Sequence, residues 1–204
     1  MATTTIKIGP VRGSYLNIFK PRRNNLNDNV EYSAVWLFPK KKCEFNDDPN
    51  GTVKRFKESV DEVVAEHFGK QTHGLRNPLR DGDTELNSNG EPRAPGYWFI
   101  NSTAKEDFPP KVVDGDKVDA DPKAWKSGDW AIVVLALYPY DKKGNKGVSC
   151  GLRAVQFLYS DEALGSGADP LAGLDVVPGA HKPQPVATVA AHDDEGAFDP
   201  FADE

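Results

Sequence analysis

The sequence predicts a mainly β protein: a small barrel of short strands with one inserted helix, followed by an acidic end that does not fold. Three observations predict it. Aromatic and β-branched residues gather in short runs separated by turn formers. A single stretch carries apolar residues at helical spacing. The last part of the chain loses periodicity altogether and is rich in Gly, Ala, Pro, Val and Asp. Charge divides the molecule near the same place. Residues 1–160 hold 24 Lys+Arg against 21 Asp+Glu, a net +3, whereas residues 161–204 hold 1 against 10, a net −9. The overall charge of −6 therefore conceals a mildly basic body and a strongly acidic tail. A body of about 160 residues is long enough for one well-buried core and short for two. The expected organisation is one domain over 1–160 and a disordered linker and tail over 161–204.

The first strand signals are Tyr15-Leu16-Asn17-Ile18-Phe19 and residues 30–38, with the turn-rich Pro21-Arg22-Arg23-Asn24-Asn25 between them. From Thr52 to Phe68 the residues Val53, Phe56, Val60, Val63, Val64 and Phe68 recur at spacings of three and four. That pattern predicts the helix, with Thr52 as its N-cap and Gly69 as its stop. Residues 71–96 are polar and interrupted by Gly and Pro, and poor order is expected around Asn87-Ser88-Asn89-Gly90. A short strand follows at 96–101, then a loop punctuated by Pro, Gly and Asp, then the most apolar strand at 130–138. A charged turn at 141–145 leads into a return strand at 147–159, which makes a long antiparallel hairpin. The nine-residue apolar run at 130–138 is about half of the ~18 residues a membrane helix needs. Cys43 and Cys150 are far apart and the chain opens without a charged-then-apolar leader, so both thiols are expected to stay free in a reducing cytoplasm.

Basic and aromatic residues alternate along the body. Arg12, Tyr15, Phe19, Lys20, Arg22 and Arg23 are followed by Tyr32, Trp36, Phe38, Lys40, Lys41 and Lys42; further sets lie at Tyr97, Trp98 and Lys105 and at Tyr138, Tyr140, Lys142, Lys143 and Lys146. Backbone phosphates need cations along a groove and unstacked bases need flat rings, so this pattern fits a single-strand nucleic-acid binder. The competing reading of each ring is a core residue, because a strand buries alternate side chains. Three acidic turns, at Asp81/Asp83, Asp114/Asp116 and Asp119/Asp121, suggest calcium at first sight. An EF-hand loop starting at Asp81 would need Gly at its sixth position, and Leu86 stands there. The four His and two Cys lack zinc spacing, and there is no nucleophile–base motif. Neither an enzyme, a metal nor a cofactor is expected.

Five stretches, in order along the body, resemble one family. They are Val11-Arg12-Gly13-Ser14-Tyr15-Leu16-Asn17-Ile18-Phe19-Lys20-Pro21, then Tyr32-Ser33 with Leu37-Phe38-Pro39-Lys40, then Pro78-Leu79-Arg80-Asp81-Gly82-Asp83. Phe99-Ile100-Asn101-Ser102-Thr103-Ala104-Lys105 and Gly144-Asn145-Lys146-Gly147-Val148-Ser149-Cys150-Gly151-Leu152-Arg153-Ala154-Val155-Gln156-Phe157 complete the set. With the acidic tail, they resemble the single-stranded DNA-binding proteins of tailed phages. The resemblance implies a five-stranded Greek-key OB-fold barrel with an inserted helix, a face that binds unwound DNA without sequence preference, and work in the host bacterial cytoplasm during replication and recombination. It also implies a tail that recruits replication or recombination proteins. Chosen by their chemistry in or beside the matched stretches, the expected phosphate ligands are Arg12, Lys20, Arg22, Lys40, Arg80 and Lys105, and the expected stacking rings are Tyr15, Trp36, Trp98 and Tyr138. The tail residues expected to meet a partner are Asp193, Asp194, Glu195, Phe198, Asp199, Phe201, Asp203 and Glu204. Many such tails end on an aromatic residue, whereas Ala202-Asp203-Glu204 follow Phe201 here. A homodimer is left open. So are three rival readings: a strand-annealing mediator, a metal-dependent nuclease using Asp81, Asp83 and Asp107, and a virion or assembly adaptor acting through its tail.

Overall fold

In the computed structural model, which describes residues 3–24, 28–70, 72–142 and 144–164, the first strand (β1, Thr4–Arg23) is 20 residues long and reaches well upstream of the run expected at 15–19. Its length reflects two partners. The first half pairs with β6 (Trp130–Lys142), from Thr4 opposite Leu137 to Arg12 opposite Trp130; the second half pairs with β2 (Val30–Pro39), from Arg12 opposite Leu37 to Arg23 opposite Val30. The strand turns from one partner to the other near Gly9, whose φ is 145° and where a Cβ would lie 2.8 Å from the Ala131 carbonyl oxygen. Only glycine fits that corner.

β4 (Tyr97–Lys105) pairs antiparallel with β2, and β7 (Asn145–Tyr159) pairs antiparallel with β6. A parallel bridge from Thr103 to Gly151 then joins β4 to β7, so the circuit β4–β2–β1–β6–β7 closes into a five-stranded barrel. This is the OB-fold topology. Two short strands sit outside the circuit: β3 (Arg80–Asp81) on β4 and β5 (Lys111–Val113) on β7.

The helix (α1, Pro49–Phe68) begins one turn earlier than its apolar spacing predicts. Asp48, not Thr52, is the N-cap: its Oδ1 accepts from the Gly51 N–H at 2.9 Å, and Pro49 opens the first turn, where its missing N–H costs nothing. Thr52 is instead buried inside that turn, its hydroxyl donating to the Asp48 carbonyl at 3.2 Å. Gly69 ends the helix as expected, with φ 58° and its N–H on the Ala65 carbonyl. The helix buries Val53, Phe56, Val60 and Val63 in the barrel core, and the Phe38 and Phe56 rings lie 5.6 Å apart.

Alternation along the strands creates two apolar clusters. Ala34, Trp36 and Phe38 of β2 point into the barrel with Ile100, Val133, Leu135 and Val155. Leu37 and half-buried Val35 point outward and meet Phe99, Ala94, Tyr97 and Leu164 in a smaller cluster on the outer face of β2 and β4. The segment around Asn87–Gly90, expected to be poorly ordered, forms a closed turn: Asn87 Oδ1 accepts from the Asn89 and Glu91 N–H groups, and the Asn87 N–H donates to the Glu91 carbonyl. An Asn side chain that mimics a backbone turn explains this in a stretch without apolar residues. Past residue 160 the chain stays on the body through Leu164, whose N–H donates to the Ser127 carbonyl at 2.9 Å. Asp161 accepts from Trp130 Nε1 at 2.8 Å and pairs with Arg12 at 3.3 Å. Although partial burial alone would raise its pKa, those partners, the Glu162 N–H and Lys126 hold the carboxyl below its ordinary value. The expected disordered tail, with Asp193, Asp194, Glu195, Phe198, Asp199, Phe201, Asp203 and Glu204, lies outside the described residues. No helix among the described residues is long and apolar enough to cross a membrane.

Candidate nucleic-acid interface

β1 carries one extra residue against β2 between Ser14 and Asn17, a bulge that throws Tyr15 outward. Tyr15 has φ 49°, unusual for a residue with a side chain, and is 72% exposed. A ring that large left in water beside a concave face is available for contact with a ligand. It stands between two hollows. The first, about 490 Å³, is lined by Tyr15, Val35, Leu37, Tyr97, Phe99 and Leu164 among others. The second, about 350 Å³, shares Tyr15, Val35 and Arg93 with the first and adds Arg22, Arg23 and Asn101. A third, about 260 Å³, shares Asn101 with the second and adds Arg76, Arg80 and Tyr140. Successive hollows share lining residues, so the three make one track that starts on the outer face of β1, β2 and β4 and reaches β6 and β7 at Tyr140 and Ser149, with apolar and aromatic floor at one end and guanidinium groups along its length.

Two arginines cap the floor of this track. Arg80 and Arg93 place their guanidinium carbons 4.4 Å and 5.1 Å from the centre of the Phe99 ring, which has no exposed surface. Both donate to the same oxygen of Glu85, at 2.8 Å and 3.2 Å. Desolvation pulls the Arg80 pKa down; the Glu85 charge opposes that and the Arg93 charge adds to it. Tyr140 faces the third hollow, and strand alternation puts Tyr138 on the same outer side, where its ring would be 3.4 Å from a Cβ at Gly151. The hairpin tip is fixed by residue 76, whose N–H donates to the Lys146 carbonyl at 2.8 Å and whose own carbonyl lies 2.4 Å from where a Gly147 Cβ would be.

Of the residues expected to bind nucleic acid, Tyr15, Arg22 and Arg80 line this track. Lys20 is exposed on β1, and Lys105 is exposed at the far end of β4, opposite Glu31. Trp36 is misassigned as a stacking ring: it is wholly buried, with Nε1 donating to Ser102 Oγ at 2.8 Å, because β2 points its even-numbered side chains inward. Trp98 is half-buried on the opposite face of β4 from Phe99, and the Lys40 and Lys57 ammonium groups cover its ring at 4.5 Å and 5.0 Å. Lys40 is not a free cation either. It bonds Asp81, and Asp83 at 2.6 Å, fastening the 80–96 excursion to β2. Burial would lower its pKa, but the two carboxylates win and raise it; hydrogen bonding to Lys40 holds both carboxyls below their usual range. Arg12 is occupied by the protein itself: its Nε donates to the Gly128 carbonyl at 2.9 Å, its Nη2 to the Glu162 carbonyl at 2.7 Å and its Nη1 to the Tyr97 hydroxyl at 3.4 Å. It anchors the chain between Asp161 and Leu164 against the rim of the first hollow.

The rival carboxylate set does not converge. Asp81 stands opposite Trp98, whereas Asp107 lies beyond Lys105 at the other end of β4, roughly 20 Å along the strand. Arg23, Tyr97 and Tyr140 belong to the basic and aromatic sets of the sequence but were not singled out as site residues, and Arg76, Arg93, Phe99 and Asn101 were missed as track residues. For Tyr97, Phe99 and Asn101 the signal was alternation within β4, read for the wrong face; Arg93 lies in an excursion with no periodicity to read.

The family model described as "Enterobacter phage Enc34, ssDNA-binding protein" matches residues 4–178. A putative protein p50 of Acyrthosiphon pisum secondary endosymbiont phage 1 is 26% identical over 174 residues, covering 79% of this chain and 87% of that protein. Among solved structures, the single-stranded DNA-binding protein from bacteriophage Enc34 in complex with ssDNA superposes with a TM-score of 0.62 at 23% identity, over 79% of this chain and 89% of that one. The single-stranded DNA-binding protein gp2.5 of bacteriophage T7 superposes with a TM-score of 0.51 at 16% identity, over 83% and 99%. At these identities the superpositions establish the shared OB-fold barrel, while the family match runs from the start of β1 through the end of β7 and beyond. This chain is a member of the phage Enc34 ssDNA-binding protein family.

Proposed function

We propose that the outer face of β1, β2 and β4 binds single-stranded DNA without sequence preference, protecting it during phage DNA replication and recombination. The observation that carries this reading is the continuity of the three hollows: a ring set free by a bulge, an apolar floor, and arginines spaced along one path. Bases stack on Tyr15 and Tyr97, while Arg22, Arg23, Arg76, Arg80 and Arg93 meet phosphates. Lys20, Lys105 and Tyr138 flank the path and extend it. None of the four Trp residues lines the three hollows, so the binding test follows the anisotropy of a labelled oligo-dT rather than Trp emission. With roughly four phosphates neutralised, log K should fall against log salt with a slope of about −3, near −0.7 per phosphate. A duplex of equal length should bind far more weakly. A slope near zero, or equal affinity for the duplex, would overturn the reading; no binding at all would favour the adaptor.

The acidic tail has two roles in this reading. It recruits replication or recombination proteins through its carboxylates with Phe198 and Phe201, and it competes with DNA for the track in the free protein. The second role is supported by charge, since residues 161–204 carry a net −9 against a net +3 for residues 1–160. Removal of residues 165–204 is expected to raise oligo-dT affinity several-fold at low salt, with the gain fading as salt screens the tail. Unchanged affinity at low salt would end the competition idea while leaving recruitment open to a pull-down with replication proteins.

A further inference from the structure

We infer that Glu85 is a built-in competitor for the DNA backbone: its carboxylate sits in the fork between Arg80 and Arg93 that a phosphate takes, and so lowers the affinity of the track. The inference rests on the single-strand reading of this face. Arg80 and Arg93 lie over one ring, Phe99, and share one carboxylate oxygen. Two guanidinium groups held this close repel each other and call for an anion between them. A phosphate oxygen is an anion of the same kind, and guanidinium forks match phosphate as well as carboxylate.

The geometry favours competition over positioning, because the arginines are held by other means. Arg80 is placed by the β3 ladder, opposite Phe99. The backbone of Arg93 is held by its own N–H, which donates to the Glu85 carbonyl at 2.8 Å, a bond independent of the carboxylate. Both guanidinium groups also lie over the Phe99 ring, their central carbons 4.4 Å and 5.1 Å from its centre. The fork therefore persists when the carboxylate leaves. The Glu85 side chain is about a third exposed, with open solvent to turn into. Each guanidinium has five N–H donors, and the shared Glu85 oxygen occupies only one of them in each. An incoming strand displaces a single tethered charge, while a small monovalent anion gains too little to do so. Glu85 thus sets a threshold that a polyanion crosses and isolated anions do not.

The test is a comparison of the full-length chain with Glu85→Gln and Arg93→Gln, titrated against labelled oligo-dT from low to moderate salt. Glu85→Gln is expected to bind about five- to tenfold more tightly at low salt, with a salt slope steeper by about 0.7, one more phosphate contact freed of internal compensation. Arg93→Gln is expected to bind more weakly with a shallower slope. If Glu85→Gln binds equally or less tightly while Arg93→Gln still weakens binding, the competitor is refuted and the track stands. If Arg93→Gln leaves affinity and slope unchanged, the track itself is wrong and the competitor falls with it. A thermal melt verifies folding. Glu85→Asp, one methylene too short to bridge the fork, provides a second variant with the same expected sign and the same power to refute.

Discussion

Trp36→Ala is expected to lower folding stability by about 3–5 kcal/mol, the cost of removing a wholly buried large side chain and leaving a cavity. For a domain of this size that corresponds to a fall of roughly 10 °C or more in the unfolding midpoint. Part of the loss comes from the Nε1 bond to Ser102, whose hydroxyl keeps only the Ala34 carbonyl at 3.4 Å. Thermal unfolding measures the effect directly. At a temperature where the variant is still folded, its oligo-dT affinity should match that of the parent. A variant that keeps its midpoint but loses binding would return Trp36 to the interface.

Tyr15→Ala should do the opposite. Its ring stands in solvent, so stability should change by less than about 0.5 kcal/mol, as for other surface positions. Loss of one stacked base is worth about 1–3 kcal/mol, and oligo-dT affinity should drop about five- to a hundredfold. Tyr15→Phe keeps the ring and should keep most of the affinity. Anisotropy titration of the two variants separates stacking from charge; equal affinity of Tyr15→Ala and the parent would remove Tyr15 from the path. Trp36 and Tyr15 lie on neighbouring strands yet answer to different forces, one to packing and the other to a ligand.

That contrast also marks how far the sequence could be read. The barrel was legible because its strands are apolar or alternating runs bounded by turn residues, and α1 because Val53, Phe56, Val60 and Val63 repeat at helical spacing. The start of α1 was displaced because Asp48-Pro49 caps without needing apolar neighbours, so periodicity begins a turn late. The first half of β1 escaped notice because Thr4 and Thr5 carry no core signal of their own; their strand is dictated by β6, more than a hundred residues away. For the interface, residue types were legible and orientation was not. Trp98 and Phe99 are adjacent rings of which one faces the helix and the other the track. Lys40 and Arg12 were read as free cations because a net charge counts them without revealing that Asp81, Asp83 and Asp161 come to them through tertiary structure. The bulge at Tyr15 has no local signature beyond one ring out of step.

The double pairing of β1 sets a timetable for folding. Its second half pairs with β2, and β2 with β4, among residues that are all present by Lys105, so the β1–β2–β4 wall can zip up from nearby chain. Its first half, and the seam between Thr103 and Gly151, wait for β6 and β7. Closing loops of that length is the slow part of making a barrel. A nascent chain halted before Trp130 would hold only the β1–β2–β4 part of the binding wall, with Ile8, Val11, Trp36 and Ile100 lacking their partners on β6 and β7, and the arrival of the last hairpin both seals that sticky sheet and completes the third hollow.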